Sequence, residues 1–115
     1  MASNPRAARE RIERARAELP SPTTQAELAR IARVLCDPVR CRIIRALRAG
    51  PLSVEDLAEV VGRTTPGTSQ HLRVLRELGV VECEPAGRER HYRLRPSRLT
   101  EQLEQAVDML TSLAA

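Results

Sequence analysis

Three cysteines and one run of hydroxyl, amide and arginine side chains are the residues of this 115-residue chain whose types and spacing could do chemistry. Cys36 and Cys41 flank Asp37-Pro38. If Asp37 caps a helix that Pro38 begins, Cys36 holds the position before the cap and Cys41 the fourth helical position. Those two positions form the hydrophobic staple, whose side chains touch. Two touching thiols can chelate a thiophilic ion such as trivalent arsenic, or close into a disulfide or polysulfide bridge. A helix N-terminus also lowers a nearby thiol pKa, which favours thiolate. Cys83 is a third ligand only if the fold brings it near. The alternative for all three is structural, because a buried Cys packs as a small hydrophobe.

The second chemistry is recognition of duplex DNA. Thr64, Thr65, Ser69, Gln70, His71, Arg73 and Arg76 lie within residues 64–76, and Arg88 and Arg90 follow shortly after. On a helix, the stripe Leu72, Leu75 and Leu78 faces inward, leaving Thr65, Ser69, Gln70, Arg73 and Arg76 opposite. A helix fits the major groove, where an amide such as Gln70 pairs with adenine and a guanidinium such as Arg73 with guanine or phosphate. Arg88 and Arg90 then grip phosphate or enter the minor groove. His71 contacts phosphate or packs against the helix rather than ligating a metal.

The elements that must position these groups are legible from period and punctuation. Asn4 and Pro5 start a helix over residues 5–19, with a narrow seam of Ala8, Ile12, Ala15 and Leu19 suited to lying against a partner. Pro20-Ser21-Pro22 breaks the chain. Thr24 and Glu27 read as a capping box, followed by Leu28, Ile31, Ala32 and Leu35 on one face. Asp37-Pro38 opens a helix that buries Ile43, Ile44 and Leu47 and ends at Gly50-Pro51. Ser53 caps a short helix with Val54, Leu57, Ala58 and Val61, and Gly62 turns the chain into the helix capped by Thr64. The period then becomes two: residues 80–84 and 89–94 predict strands joined by a turn at 85–88. On the return strand Tyr92 is the expected core member and His91 its neighbour. Ser97 opens a last helix with a second seam, Leu99, Leu103, Ala106, Leu110 and Leu113. The predicted class is mainly α with a small β-hairpin, a winged helix-turn-helix in the order α-α-α-α-α-β-β-α. Residues 1–22 form a helical arm for dimer contact and residues 23–115 the DNA-binding domain with its dimerisation helix.

Composition agrees with this. The basic side chains are nineteen arginines with no lysine, and the net charge is +4. Positive charge is concentrated: residues 63–95 hold seven Arg against four acids, and residues 39–49 hold four Arg and no acid. Tyr92 is the single aromatic residue, which argues against recognition by base stacking. No apolar run approaches the ~18 residues that suggest a membrane span, and the charged N-terminus does not resemble a secretory signal. An odd number of cysteines without such a signal predicts reduced thiols in a cytoplasm. With no phosphate loop, catalytic triad order or metal triad, an enzyme is not expected.

Leu35-Cys36-Asp37-Pro38-Val39-Arg40-Cys41-Arg42-Ile43-Ile44 resembles the "L-A-D-P-x-R-x-x-I-L" opening of the ArsR/SmtB regulators. Ser69-Gln70-His71-Leu72 through Gly79-Val80-Val81 resembles their "S-x-H-L-x-x-L-x-x-A-G-L-V" recognition helix, and Gly87-Arg88 with Tyr92-Arg93-Leu94 resembles their wing. The resemblance covers about residues 24–113. It implies a homodimer with first and last helices at the interface, and a repressor released from its DNA operator by an inducer. The family's two common metal sites are missing as spelled: residues 54–61 contain no Cys, and the last helix offers Glu101, Glu104 and Asp108 without His. Pro66-Gly67-Thr68 also departs from the family pattern and predicts a loose first turn ordered by DNA. No cofactor is therefore assigned beyond a thiophilic metal or metalloid ion at the cysteines. A winged helix used for protein–protein docking, without sensing, is the competing expectation.

Overall fold

Each of the first three helices begins on a proline behind a capping side chain in the computed structural model, which describes residues 4–115. Proline fits there because its fixed φ suits a helix and its missing N–H would have no intrahelical partner. Helix α1 spans Pro5–Ala17, with Asn4 Oδ1 accepting from the amides of Arg6 and Ala7. Helix α2 spans Pro22–Leu35, and its cap is Ser21, not Thr24. The expected capping box therefore lies inside the helix. Ser21-Pro22 is a start signal, not the break it resembles, and the expected boundary at residue 22 falls on the helix start. Helix α3 spans Pro38–Ala46 behind Asp37, as predicted, and a 3₁₀ turn, Leu47–Ala49, follows. Residues 1–3 of the expected arm lie outside the described residues.

Helix α4 spans Val54–Val61, helix α5 Thr65–Glu77 and helix α6 Arg98–Ala114, capped by Ser53, Thr64 and Ser97 respectively. Strands β1 (Val81–Ala86) and β2 (Glu89–Leu94) pair antiparallel from Val81↔Leu94 to Ala86↔Glu89. The hairpin turn is thus only Gly87-Arg88. Gly87 takes the positive φ of 63° that the first position of a tight hairpin turn requires. Pro85, expected in the turn, instead stands in β1 opposite Arg90, tolerated because this two-stranded sheet is all edge. The Leu52 and Tyr92 backbones exchange two hydrogen bonds, of 3.1 and 2.8 Å, and tie the wing to the segment before α4.

One core joins α2 to α6 and the hairpin. Ile43 and Ile44 from α3, Leu57 and Val61 from α4, and Leu72 and Leu75 from α5 are its largest members, with Val80, Val81 and Leu103. Tyr92 packs against it, as expected. Val34 and Val107, outside the expected stripes, are fully buried, whereas Leu28, Leu110 and Leu113 of those stripes are exposed. The seam of α6 is divided: Leu103 fills the core while Leu110 and Leu113 face solvent. Helix α1 is more extreme. None of its residues is buried, and it projects so far that the described chain measures 72 × 28 × 23 Å. Helix α6 is fastened by Arg48, whose guanidinium reaches Asp108 Oδ1 at 2.7 Å and Glu104 Oε1 at 3.2 Å. The Arg48 hydrogen bond and charge hold the Asp108 carboxyl below its ordinary pKa.

Candidate DNA-binding face and thiol cluster

Gly62 ends α4 in the left-handed conformation, with φ 68°, and the chain re-enters a helix three residues later, at Thr65. This tight corner sets α5 across α4 with Thr68, Leu72 and Leu75 buried. Thr65, Ser69, Gln70, Arg73 and Arg76 are exposed on the other side. Arg73 reaches Glu77 at 3.4 Å, but its side chain is 82% exposed, so a phosphate or base edge competes easily for it. The Thr64 hydroxyl accepts the Gly67 amide at 3.1 Å and is committed to capping.

The first turn of α5 is formed and capped across Pro66-Gly67-Thr68. A Cβ on Gly67 would sit 3.0 Å from Thr64 Oγ1, so the glycine makes room for the cap that holds the turn. Thr68 is fully buried, and its hydroxyl has no hydrogen-bond partner. An unsatisfied buried hydroxyl costs about 1–3 kcal/mol. The isosteric change Thr68→Val should therefore stabilise the protein, raising Tm in thermal denaturation by about 4–8 °C for each kcal/mol of added stability.

His71 does not belong to the exposed face. It is half-buried, and its Nδ1 lies 3.5 Å from Asp37 Oδ2. It sits three residues after buried Thr68 and next to Leu72, on the flank of α5 turned toward the start of α3.

On the wing, Arg88 occupies the exposed hairpin tip. Arg90 is exposed but donates from Nε to Cys83 Sγ at 3.2 Å. Burial, together with Cys83 opposite it in the ladder, raises the Tyr92 pKa. Arg93 is held by Glu82 at 2.8 Å and Glu84 at 3.6 Å. Arg63, in the corner before α5, and Arg95, after β2, are exposed and form no ion pair among the described residues. Sequence reasoning misses both as candidates. The signal for Arg63 is its position one residue before the Thr64 cap.

The arginines of residues 39–49 are each engaged within the protomer. Arg40 donates to the Arg33 carbonyl at 2.6 Å and Arg42 to the Val61 carbonyl at 2.9 Å, while Arg45 and Arg48 face the α6 acids. Arg30 likewise donates to the Leu78 carbonyl at 3.0 Å. The physical reason is that the last carbonyls of a helix lack intrahelical donors and carry partial negative charge, which guanidinium groups satisfy.

Cys36 is exposed at the C-cap of α2, and its thiol donates to the Arg33 carbonyl at 3.5 Å. Cys41 is half-buried on α3, its sulfur 3.9 Å from the Leu35 carbonyl. The staple geometry thus brings Cys41 onto the backbone next to Cys36. The expected pKa depression does not follow: burial, then the Asp37 and Cys36 charges, push the Cys41 thiol up. Burial and the two neighbouring negative groups outweigh the helix N-terminus. Cys83 is engaged on the wing, and no three of the described His, Cys, Asp and Glu residues gather in a geometry able to hold a metal ion. Cys83 is therefore not a third ligand to the pair within one chain.

The model of the bacterial regulatory protein, arsR family, matches residues 37–82, the span from the start of α3 to the first residues of β1. The chain is 40% identical over 82 residues to the HTH-type transcriptional regulator NmtR of Mycobacterium tuberculosis, covering 71% of this chain and 68% of that one. It is 37% identical to the regulator CmtR of Mycobacterium bovis, covering 77% of this chain and 75% of that one. Among solved structures, the transcriptional repressor BigR from Xylella fastidiosa superposes with a TM-score of 0.69 at 31% identity, covering 81% of this chain and 91% of that one. With its helix-turn-helix, wing and exposed basic recognition face, the chain belongs to the ArsR/SmtB family and is a DNA-binding transcriptional repressor that answers to an inducer, not an enzyme.

Proposed function

We propose that the protein works in the cytoplasm as a homodimeric operator-binding repressor. Its α5 helices enter successive major grooves, and inducer acts at the thiols of Cys36 and Cys41. The carrying observation is the exposed face of Thr65, Ser69, Gln70, Arg73 and Arg76, set opposite a fully buried stripe and flanked by Arg63 and Arg88. Thr65, Ser69, Gln70 and Arg73 read base edges. Arg63, Arg76, Arg88 and Arg90 bind phosphate. The dimer forms through the exposed apolar side chains of α1, α2 and α6, namely Ile12, Leu28, Met109, Leu110 and Leu113. No helix among the described residues is long and apolar enough to cross a membrane.

The thiol reading is supported by the exposure of Cys36 beside the covered Cys41 and by relatives that respond to soft ions. One is solved as a cadmium metal-sensor, CMTR from Mycobacterium tuberculosis, at 39% identity, and another as the antimony-specific repressor AntR, at 26%. A thiophilic ion bound by two sulfurs here needs a further donor from solvent or ligand.

The test is binding to a duplex selected from a random-sequence library by the reduced protein, followed by fluorescence anisotropy across a salt series. Affinity should fall steeply with salt. Removing Arg88 should flatten the log–log slope by about 0.9 for each phosphate that a protomer no longer neutralises. A salt-independent affinity would instead favour protein docking.

A further inference from the structure

We infer that Asp37 couples the Cys36/Cys41 pair to the recognition helix through its contact with His71. The inference rests on the thiol reading above and gives that site its mechanical output. Asp37 stands between the two cysteines in the chain and serves two masters. Its Oδ1 accepts from the amides of Val39 at 2.8 Å and Arg40 at 3.4 Å, capping α3. Its Oδ2 faces His71 Nδ1 on α5 at 3.5 Å. Both side chains are about three-quarters covered, which shields the contact from solvent.

The neighbouring donors leave little slack. Cys36 Sγ and Arg40 Nη1 both donate to the Arg33 carbonyl, and Arg40 Nε is buried without a partner. Two sulfurs suffice for one reaction here without a third ligand: the closing of a disulfide. The exposed Cys36 sulfur, as thiolate, attacks a two-electron oxidant, and the Cys41 sulfur displaces the leaving group from the oxidised Cys36. Two S–H bonds break, one S–S bond forms, and two electrons and two protons pass to the oxidant. A peroxide is thereby reduced to water and an alcohol.

Closure is not free of consequence for the cap. Cys36 Sγ must leave the Arg33 carbonyl and swing toward Cys41, drawing the position before the Asp37 cap onto the first turn of α3. Disulfide geometry holds Cα atoms within about 4.4–6.8 Å. Asp37 lies inside the loop being tightened, so its carboxylate cannot keep both sets of partners in place. His71 is the partner on a different helix. When that contact breaks, α5 keeps its core packing but loses its polar tie to the start of α3, one residue from Gln70 and two from Ser69 and Arg73 on the exposed face.

The experiment uses the full chain with Cys83→Ser, which leaves only the two thiols in question, treated with diamide as the oxidant or with a reductant. Mass spectrometry follows the loss of two hydrogens, and anisotropy follows the selected duplex. Oxidation should weaken binding about tenfold, within the usual range of coupling between sites. In His71→Gln the disulfide should still form, but oxidised and reduced protein should bind within about twofold of each other. Asp37→Asn, which keeps the capping acceptor and removes the charge, should behave likewise. A full tenfold response in both variants would overturn the coupling and leave the thiol reading standing. A parent protein that forms the disulfide without losing affinity, or forms none, would overturn the coupling together with oxidation as the signal at these thiols.

Discussion

Leu110→Glu should turn the protein into a monomer of about 12.8 kDa in sedimentation and weaken operator binding on the order of 10²–10⁴-fold, the range by which bivalent engagement exceeds a single site. Leu110 is exposed within the protomer, as are Met109 and Leu113 beside it. A carboxylate there disturbs little in the protomer's own core, because Leu103 and Val107 do the inward packing on α6. Between two copies the same carboxylate would be desolvated against an apolar face, where an unpaired charge is strongly unfavourable. Unchanged thermal unfolding of diluted protein, alongside loss of the dimer, would locate the effect at the interface. A dimer that survives the substitution with full affinity would remove α6 from the assembly.

The second large effect belongs to the exposed face of α5. Gln70→Ala and Arg73→Ala should each reduce discrimination between the selected duplex and single-base variants by about 1–3 kcal/mol, roughly fivefold to 150-fold. The loss should fall on particular base pairs: an adenine position for Gln70 and a guanine position for Arg73. Arg88→Ala should weaken all sequences alike, since a phosphate contact carries no base information. Competition binding against a panel of single-base variants separates the two patterns. Uniform weakening by Arg73→Ala would reassign that side chain from base edge to phosphate.

Much of this architecture is legible in the chain itself, and the exceptions have identifiable causes. Asn4-Pro5, Asp37-Pro38, Ser53 and Thr64 locate four helix starts because a cap and its following residue are a local matter. Ser21-Pro22 misleads because Pro20 precedes it, and two prolines in three residues look like a break. Propensity puts Pro85 in the turn, but the register set by Gly87 puts it in the strand. The outward face of α5 follows from the leucine stripe. His71 cannot be assigned that way, since its role depends on Asp37, thirty-four residues earlier. The charge of residues 39–49 misleads for the same reason: composition counts guanidinium groups but does not show which helix ends they face. The staple rule accounts for Cys41 lying against the Leu35 carbonyl beside Cys36, yet burial, a tertiary effect, sets the direction of the Cys41 pKa.

Helix α1 has a thermodynamic consequence for the free protein. It is thirteen residues long, with nothing buried beneath it. An isolated helix of that length is marginal in water, because nucleation is unfavourable and few hydrogen bonds follow. Its order must therefore be borrowed from whatever covers Ile12, with Leu19 just past its end at Ala17. If a second copy supplies that cover, helicity becomes a function of protein concentration. Circular dichroism at 222 nm should then lose about one helix's worth of signal on dilution through the dimer dissociation constant, while the core unfolds at an unchanged temperature. The arm would act as a gauge of assembly: coil in the single chain, helix once two chains meet.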